Sequence, residues 1–275
     1  MPHYNFRSSF SRISIIVLGL LFTLYSTAVL SLTATSNSSS TFSINKQSTK
    51  TQARQGDARA LYVMARQYRD GKGVPRDIDK AVLYLTESAN QNFPPAQIDL
   101  GDMYTSGFGV KQDYKRAFIW FKKAADQDYA SAQYNVGNLY RSGKGIKADA
   151  DQAYLYYEKS AKKGFVKAQF NLALMYLHGL GVSKDLSKVI FWYEQAAEQG
   201  FSMAQYYLAN MLVGGEGISK DINRALSLYD AASKAGLKEA YDAKISLEAT
   251  LAKRDPADAN SESRLVTDTE LALEQ

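Results

Sequence analysis

Residues 93–128 read FPPAQIDLGDMYTSGFGVKQDYKRAFIWFKKAADQD, and residues 129–164 read YASAQYNVGNLYRSGKGIKADADQAYLYYEKSAKKG. Placed one under the other without a gap, they agree where backbone geometry is demanding. Ala96 falls on Ala132, Gly101 on Gly137, Gly107 on Gly143, Gly109 on Gly145 and Asp113 on Asp149. The same shift of 36 residues runs through the middle of the chain. It links Ala60, Ala96, Ala132, Ala168, Ala204 and Ala240, the glycines 71, 107, 143, 179 and 215 and the glycines 73, 109, 145, 181 and 217, and Asp77, Asp113, Asp149, Asp185 and Asp221. A constant step in several independent columns marks a structural repeat, here in five tandem copies.

Each copy reads as helix, glycine loop, helix. In the third, Ala132, Val136 and Tyr140 share one helical face, Gly143-Lys144-Gly145-Ile146 interrupts it, and Ala153, Tyr156, Tyr157, Ser160 and Ala161 form a second. Small residues fall where helices should cross: Ala65, Gly101, Gly137, Ala173 and Ala209 on first helices, Ala89, Ala125, Ala161 and Ala197 on second helices. A missing side chain lets two axes approach closely. Tyr68, Tyr104, Tyr140, Tyr176, Trp120 and Trp192 are expected to fill the space beside them. A lone hairpin cannot cover its own apolar face, so the copies must stack.

The second copy (Ala96, Leu100, Gly101, Tyr104, Gly107, Gly109, Val110, Asp113, Arg116, Ala117, Trp120, Ala124, Ala125) and the fourth (Ala168, Leu172, Tyr176, Gly179, Gly181, Val182, Asp185, Lys188, Trp192, Ala196, Ala197, Gly200) together resemble the Sel-1-like repeat, a relative of the tetratricopeptide repeat. The resemblance implies an all-α fold: a right-handed superhelical solenoid of stacked antiparallel helix hairpins. Five repeats are expected at about 57–92, 93–128, 129–164, 165–200 and 201–236, with a cap helix over 237–252. The copies at the ends depart from the pattern. The first has Asn90 and Asn92 at a turn that later copies end with glycine, and the fifth has Leu212, Leu228 and Ser233 in place of two aromatics and an alanine.

The flanks differ in kind. Residues 1–34 carry Arg7 and Arg12, then an apolar run from Ile13 to Leu32, with Ser26-Thr27-Ala28 and Leu32-Thr33-Ala34 as small-residue sites. Two readings fit: a cleaved secretory signal, or a retained anchor helix. The two arginines favour an N-terminus kept inside, which puts the body across the membrane. Residues 35–55, rich in Ser and Thr, read as a flexible linker, and 253–275 as a disordered polar tail. The net charge of +5 over the whole chain is modest and spread thinly, so no concentrated basic face argues for nucleic acid.

Little in the chain suggests chemistry. Without cysteine there is no disulfide, thiolate metal site or thiol nucleophile. Gly71-Lys72-Gly73-Val74 lacks the spacing and the Lys-Ser/Thr ending of a phosphate loop, and its five-fold recurrence reads as a turn. The aspartate column precedes helices, where Asp accepts backbone N–H bonds as a cap, so metal ligation is not expected. His3 and His178 are the only histidines, and His178 reads as a solvated loop residue. No catalytic residue, metal or cofactor is expected.

A partner is expected instead. In tetratricopeptide relatives the first helices line a concave surface. By that resemblance four columns here face inward, and their members vary while the packing columns do not. The residues expected to meet a partner are Arg59, Tyr62, Arg66, Arg69, Tyr134, Asn138, Arg141, Phe170, Leu174, Tyr206 and Asn210. The groove would be basic near Arg59, Arg66 and Arg69 and apolar toward Phe170 and Leu174, suiting an acidic, partly apolar peptide. An equal alternative makes the second column half-buried core and the arginines merely solvated. The function implied is a non-enzymatic adaptor, binding another protein or peptide in envelope assembly or signalling, periplasmic or secreted, or anchored in the inner membrane by the N-terminal segment alone. A secreted host-interaction factor is the main alternative. A β-lactam hydrolase is a weaker one, because the chain lacks the cysteines of the relatives credited with that activity.

Overall fold

The computed structural model describes residues 48–253. After helical backbone at 48–54, its helices are α1 (Ala58–Asp70), α2 (Ile78–Asn90), α3 (Pro94–Ser106), α4 (Tyr114–Asp126), α5 (Ala130–Ser142), α6 (Ala150–Lys162), α7 (Val166–His178), α8 (Leu186–Glu198), α9 (Ser202–Gly214), α10 (Ile222–Lys234) and α11 (Lys238–Ala252). There is no strand among the described residues. The chain divides between Glu87 and Ser88 into two compact units. In the second unit each helix from α3 to α11 packs on its neighbours in sequence, the arrangement of a helical solenoid.

The repeated residues make this structure by local chemistry. α1, α3, α5, α7 and α9 each stop at a left-handed glycine: 71, 107, 143, 179 and 215. The N–H of Gly143, for example, returns to the Leu139 carbonyl. Asp113, Asp149, Asp185 and Asp221 then cap α4, α6, α8 and α10 by accepting backbone N–H bonds. Asp77 does the same for Lys80 at 3.0 Å. The N–H of each of these aspartates also donates to the carbonyl of the residue that ends the first helix's core face, as from Asp113 to Tyr104 at 2.9 Å. The loop is therefore closed from both of its ends.

The second loop glycine answers a different need. A Cβ on Gly145 would lie 2.4 Å from the Tyr114 carbonyl carbon, and one on Gly181 2.3 Å from the Ala150 oxygen. Tyr114 and Ala150 open the second helices of the preceding repeats, so this glycine lets one repeat's loop rest on the previous repeat's helix start.

The core follows the expected small-residue columns. Gly101 and Gly137 leave room for the rings of Phe121 and Tyr157, which a Cβ would approach to 2.5 and 2.8 Å. The deepest aromatic column, however, is Phe121, Tyr157, Tyr193 and Tyr229, each no more than 3% exposed. Trp120 and Trp192, expected as the fillers, sit one residue earlier and are half-buried. The rotation of the second helix sends the residue after the tryptophan inward. Burying a ring such as Phe121 stabilises by roughly 1.5–3 kcal/mol.

Two further readings change. Residues 48–54, placed in the flexible linker, are helical, and Ala53 is buried with Ala60, Leu61 and Met64. An apolar face is available to that segment within the first unit, and polarity alone did not reveal it. The positive-φ turn between hairpins lacks glycine in two copies, at Asn92 (φ 64°) and Asp128 (φ 71°), not in the first alone. Residues 1–47 and 254–275, where the leader, most of the linker and the tail are expected, lie outside the described residues.

Successive repeats are joined by a column that sequence reading overlooked. Gln97, Gln133, Gln169 and Gln205 are buried, and each donates its Nε2 to the carbonyl of an alanine eight residues earlier, Ala89, Ala125, Ala161 and Ala197, at 3.2–3.5 Å. Each of these bonds ties the start of a first helix to the end of the second helix before it.

Candidate partner-binding surface

In the second unit the expected inward columns rest on the buried tyrosines. Tyr134, Phe170 and Tyr206 are half-buried. Their rings meet Tyr157, Tyr193 and Tyr229 at 5.8, 5.7 and 6.0 Å, always tilted. Tyr134 and Phe170 also meet Phe165 and Phe201, the residues that begin the next repeat, both at 5.2 Å. One side of each ring is thus core, while the residue keeps contact with solvent. The column is therefore half-buried core with a side left open to solvent.

The third and fourth columns add polar groups. The Tyr157 hydroxyl donates to Asn138 Oδ1 at 2.7 Å and accepts from Arg141 Nε at 3.1 Å. The Tyr229 hydroxyl donates to Asn210 Oδ1 at 2.6 Å. In the fourth repeat the same position is Leu174, and the buried Tyr193 hydroxyl has no hydrogen-bond partner. Burial raises the pKa of all three phenols, with Arg141 partly offsetting it at Tyr157. They remain neutral hydrogen-bonding groups at physiological pH.

Asp102, in the same column as Asn138, keeps solvent contact but is crowded by surrounding protein. That desolvation, with the charge of Asp99 added, pushes its carboxyl up to about 6. Asn135 Nδ2 lies 3.5 Å from it.

Arg59 is exposed. The Arg66 guanidinium lies over the Tyr62 ring, 5.8 Å from its centroid. Arg69 Nε pairs with Asp70 Oδ1 at 2.8 Å, so part of the expected basic character is neutralised locally. Tyr62, Val63, Arg66, Gln67, Asp70 and Lys72 line an open depression of about 200 Å³.

Two features escaped the sequence reading. The pairing of Asn138 with Tyr157 and of Asn210 with Tyr229 spans 19 residues in each case, a spacing visible only when columns of different helices are compared. In the second unit an exposed apolar column also recurs on the second helices: Ile119 (52%), Leu155 (43%) and Phe191 (50%). Among the described residues there is no cluster of three or more His, Cys, Asp or Glu able to hold a metal, and His178 is exposed at the end of α7. Nor does any described helix have the length and apolarity to cross a membrane. The groups gathered on the first helices are rings, amides, hydroxyls and guanidinium, suited to holding a peptide by stacking and hydrogen bonding.

A family model described as Sel1 repeat matches residues 58–93, 94–129, 130–165, 166–201 and 202–237, each one residue later than read from sequence. Among solved structures, the chain is similar to a protective antigen of uropathogenic Escherichia coli strains displaying an SLR fold, with 33% identity and a TM-score of 0.71 over 80% of this chain. The match covers 48% of that antigen, so this chain spans about half its length. It is also similar to a Sel1 repeat protein from Oxalobacter formigenes, with 32% identity, a TM-score of 0.64, and coverage of 67% of this chain and 76% of that one. No curated protein matches the chain.

Proposed function

The chain belongs to the Sel1 repeat family, typically scaffolds for protein–protein interaction, and on that premise we propose that it is an exported, non-enzymatic adaptor that holds a partner protein or peptide on the first helices of its repeats. The observation that carries this reading is the contrast between columns. Ala96, Ala132, Ala168 and Ala204 are identical and fully buried, whereas the column Asp102, Asn138, Leu174 and Asn210 mixes acid, amide and aliphatic side chains and keeps solvent contact. Identical residues serve the scaffold, and differing ones on one face suit recognition of one partner. Arg141 and the half-buried Tyr134, Phe170 and Tyr206 favour an acidic, partly apolar segment.

Export is supported by the basic-then-apolar order of residues 1–34, and a relative described as a protective antigen agrees with exposure outside the cytoplasm. On this reading the body works in the periplasm, released or tethered by its leader. Secretion to act on host proteins is the alternative. Fractionation with N-terminal sequencing separates these, and a full-length chain in the cytosolic fraction rejects export.

Photo-crosslinking in cells tests the adaptor reading. A photoreactive residue replacing Tyr134, Phe170 or Tyr206 is expected to give the same discrete adduct, and one replacing Leu155 on the second-helix face is expected to give none. Adducts from Leu155 alone would refute the assignment of the surface.

A further inference from the structure

Tyr157, Tyr193 and Tyr229 hold one position in three successive repeats, and all are buried. Two have their hydroxyls bonded to an asparagine of the same hairpin, at 2.7 and 2.6 Å. The third does not. Where Asn138 and Arg141 reach Tyr157, the fourth repeat has Leu174 and Leu177, both half-buried and packed on the core that contains Tyr193. Tyr207 stacks its ring on Tyr193 at 5.8 Å, yet the hydroxyl is left without a partner. A buried hydroxyl without a partner is costly, and the repeats on either side, whose tyrosines each bond an asparagine, show how readily the fold would have supplied one.

We propose that the fourth repeat is the specificity subsite of the groove. Phe170, Leu174 and Leu177 take a large apolar side chain of a bound peptide, and the Tyr193 hydroxyl donates to a carbonyl or carboxylate oxygen of that peptide when Leu174 changes rotamer. This inference rests on the groove-binding reading above. A peptide fits because every residue of it carries a main-chain acceptor, and because Phe170, Leu174 and Leu177 all lie half-buried on one helix, α7, with a side open to solvent. Leu174 keeps solvent contact, so its side chain can turn outward on the fast timescale of surface rotamers. Arg141, one repeat before, adds preference for an acidic neighbour in the same peptide.

A displayed library of random dodecapeptides, selected on the full chain, supplies the probe. The affinity of the most enriched peptide is then compared among variants. Arg141→Glu is expected to weaken it at least about tenfold, and Leu174→Asn and Tyr193→Phe each at least about fivefold. Both of the latter are expected to raise the thermal midpoint of the free protein, since one pairs the hydroxyl and the other removes it. Leu174→Met, which keeps the subsite apolar, is expected to retain binding. Loss with Arg141→Glu but affinities within about twofold for Leu174→Asn and Tyr193→Phe overturns the subsite and leaves the groove reading standing. Binding that Arg141→Glu leaves unchanged overturns the groove reading itself.

Discussion

Gln127, Lys163, Gln199 and Ala235 close the C-terminal ends of α4, α6, α8 and α10, and this single position decides whether the buried glutamine 30 residues earlier is fully bonded. Gln127 donates to Gln97 Oε1 at 2.9 Å, and Gln199 to Gln169 Oε1 at 2.7 Å. Lys163 turns instead to Asp128, and Ala235 has nothing to offer. Gln133 Oε1 and Gln205 Oε1 are accordingly buried without partners. Ala235→Gln is therefore expected to raise stability by about 0.5–1.5 kcal/mol, read as a higher urea midpoint at unchanged slope. Gln199→Ala is expected to lower it by a similar amount. A pH dependence belongs to this scale too. The Asp102 carboxyl titrates near 6 in the fold, above the usual carboxylate value, so between about pH 4 and 6 the folded state binds more protons than the unfolded one. Stability from this group then falls as pH rises through that window, and the penalty is complete above it. Asp102→Asn should raise the denaturation midpoint at pH 7.5 and leave it unchanged at pH 4. A gain of equal size at both values would assign the effect to something other than charge.

Turns between elements separate two uses of glycine that look alike in sequence. Gly200 (φ 79°) has nothing within 4 Å of an added Cβ, whereas Gly181 (φ 66°) would bring that atom to 2.3 Å from Ala150. Gly200→Ala is expected to cost only the left-handed strain, about 1–2 kcal/mol. Gly181→Ala adds a main-chain collision and should exceed that by about 2 kcal/mol or more, as thermal denaturation of the two variants would reveal. Equal losses would mean that the loop does not rest on the preceding helix. The capped hairpin was legible from residues because its causes are local: Asp113 three residues before Arg116, Gly107 directly after Ser106. The inner order of the core was less legible. Trp120 and Phe121 are adjacent and both aromatic, and only a rotation of α4 of about one residue, 100°, sends Phe121 inward. The glutamine column recurs in four successive copies, but a polar residue gives no hydropathy signal, and its partner carbonyl at Ala89 or Ala125 lies on another helix. The candidate surface was legible as columns of first-helix residues; which of them pair depends on tyrosines of the second helix, 19 positions away.

At the scale of the second unit, packing from α3 to α11 runs between neighbours in sequence, so stability should be a sum of hairpins and the interfaces between them. The interior and the end differ sharply. α7 buries Ala168, Gln169, Leu172, Ala173, Met175 and Tyr176, with helices on both sides. α11 buries Ala240, and its Tyr241 and Ile245 are 54% and 46% exposed because no further helix follows within the described residues. Native-state amide exchange should therefore be slowest in α7 and α8 and fastest in α11, by a factor of ten or more, about 1.4 kcal/mol of opening free energy. Leu172→Ala sharpens the test. The side chain is 0% exposed, and its truncation is expected to cost about 2–5 kcal/mol. In a chain of nearest-neighbour interfaces, protection should drop in α6 to α9 on both sides of the lesion, while α11, which already opens locally, keeps its rate. A uniform drop through α11 would instead mean that the unit opens as one block, and that its repeats are coupled beyond their immediate contacts.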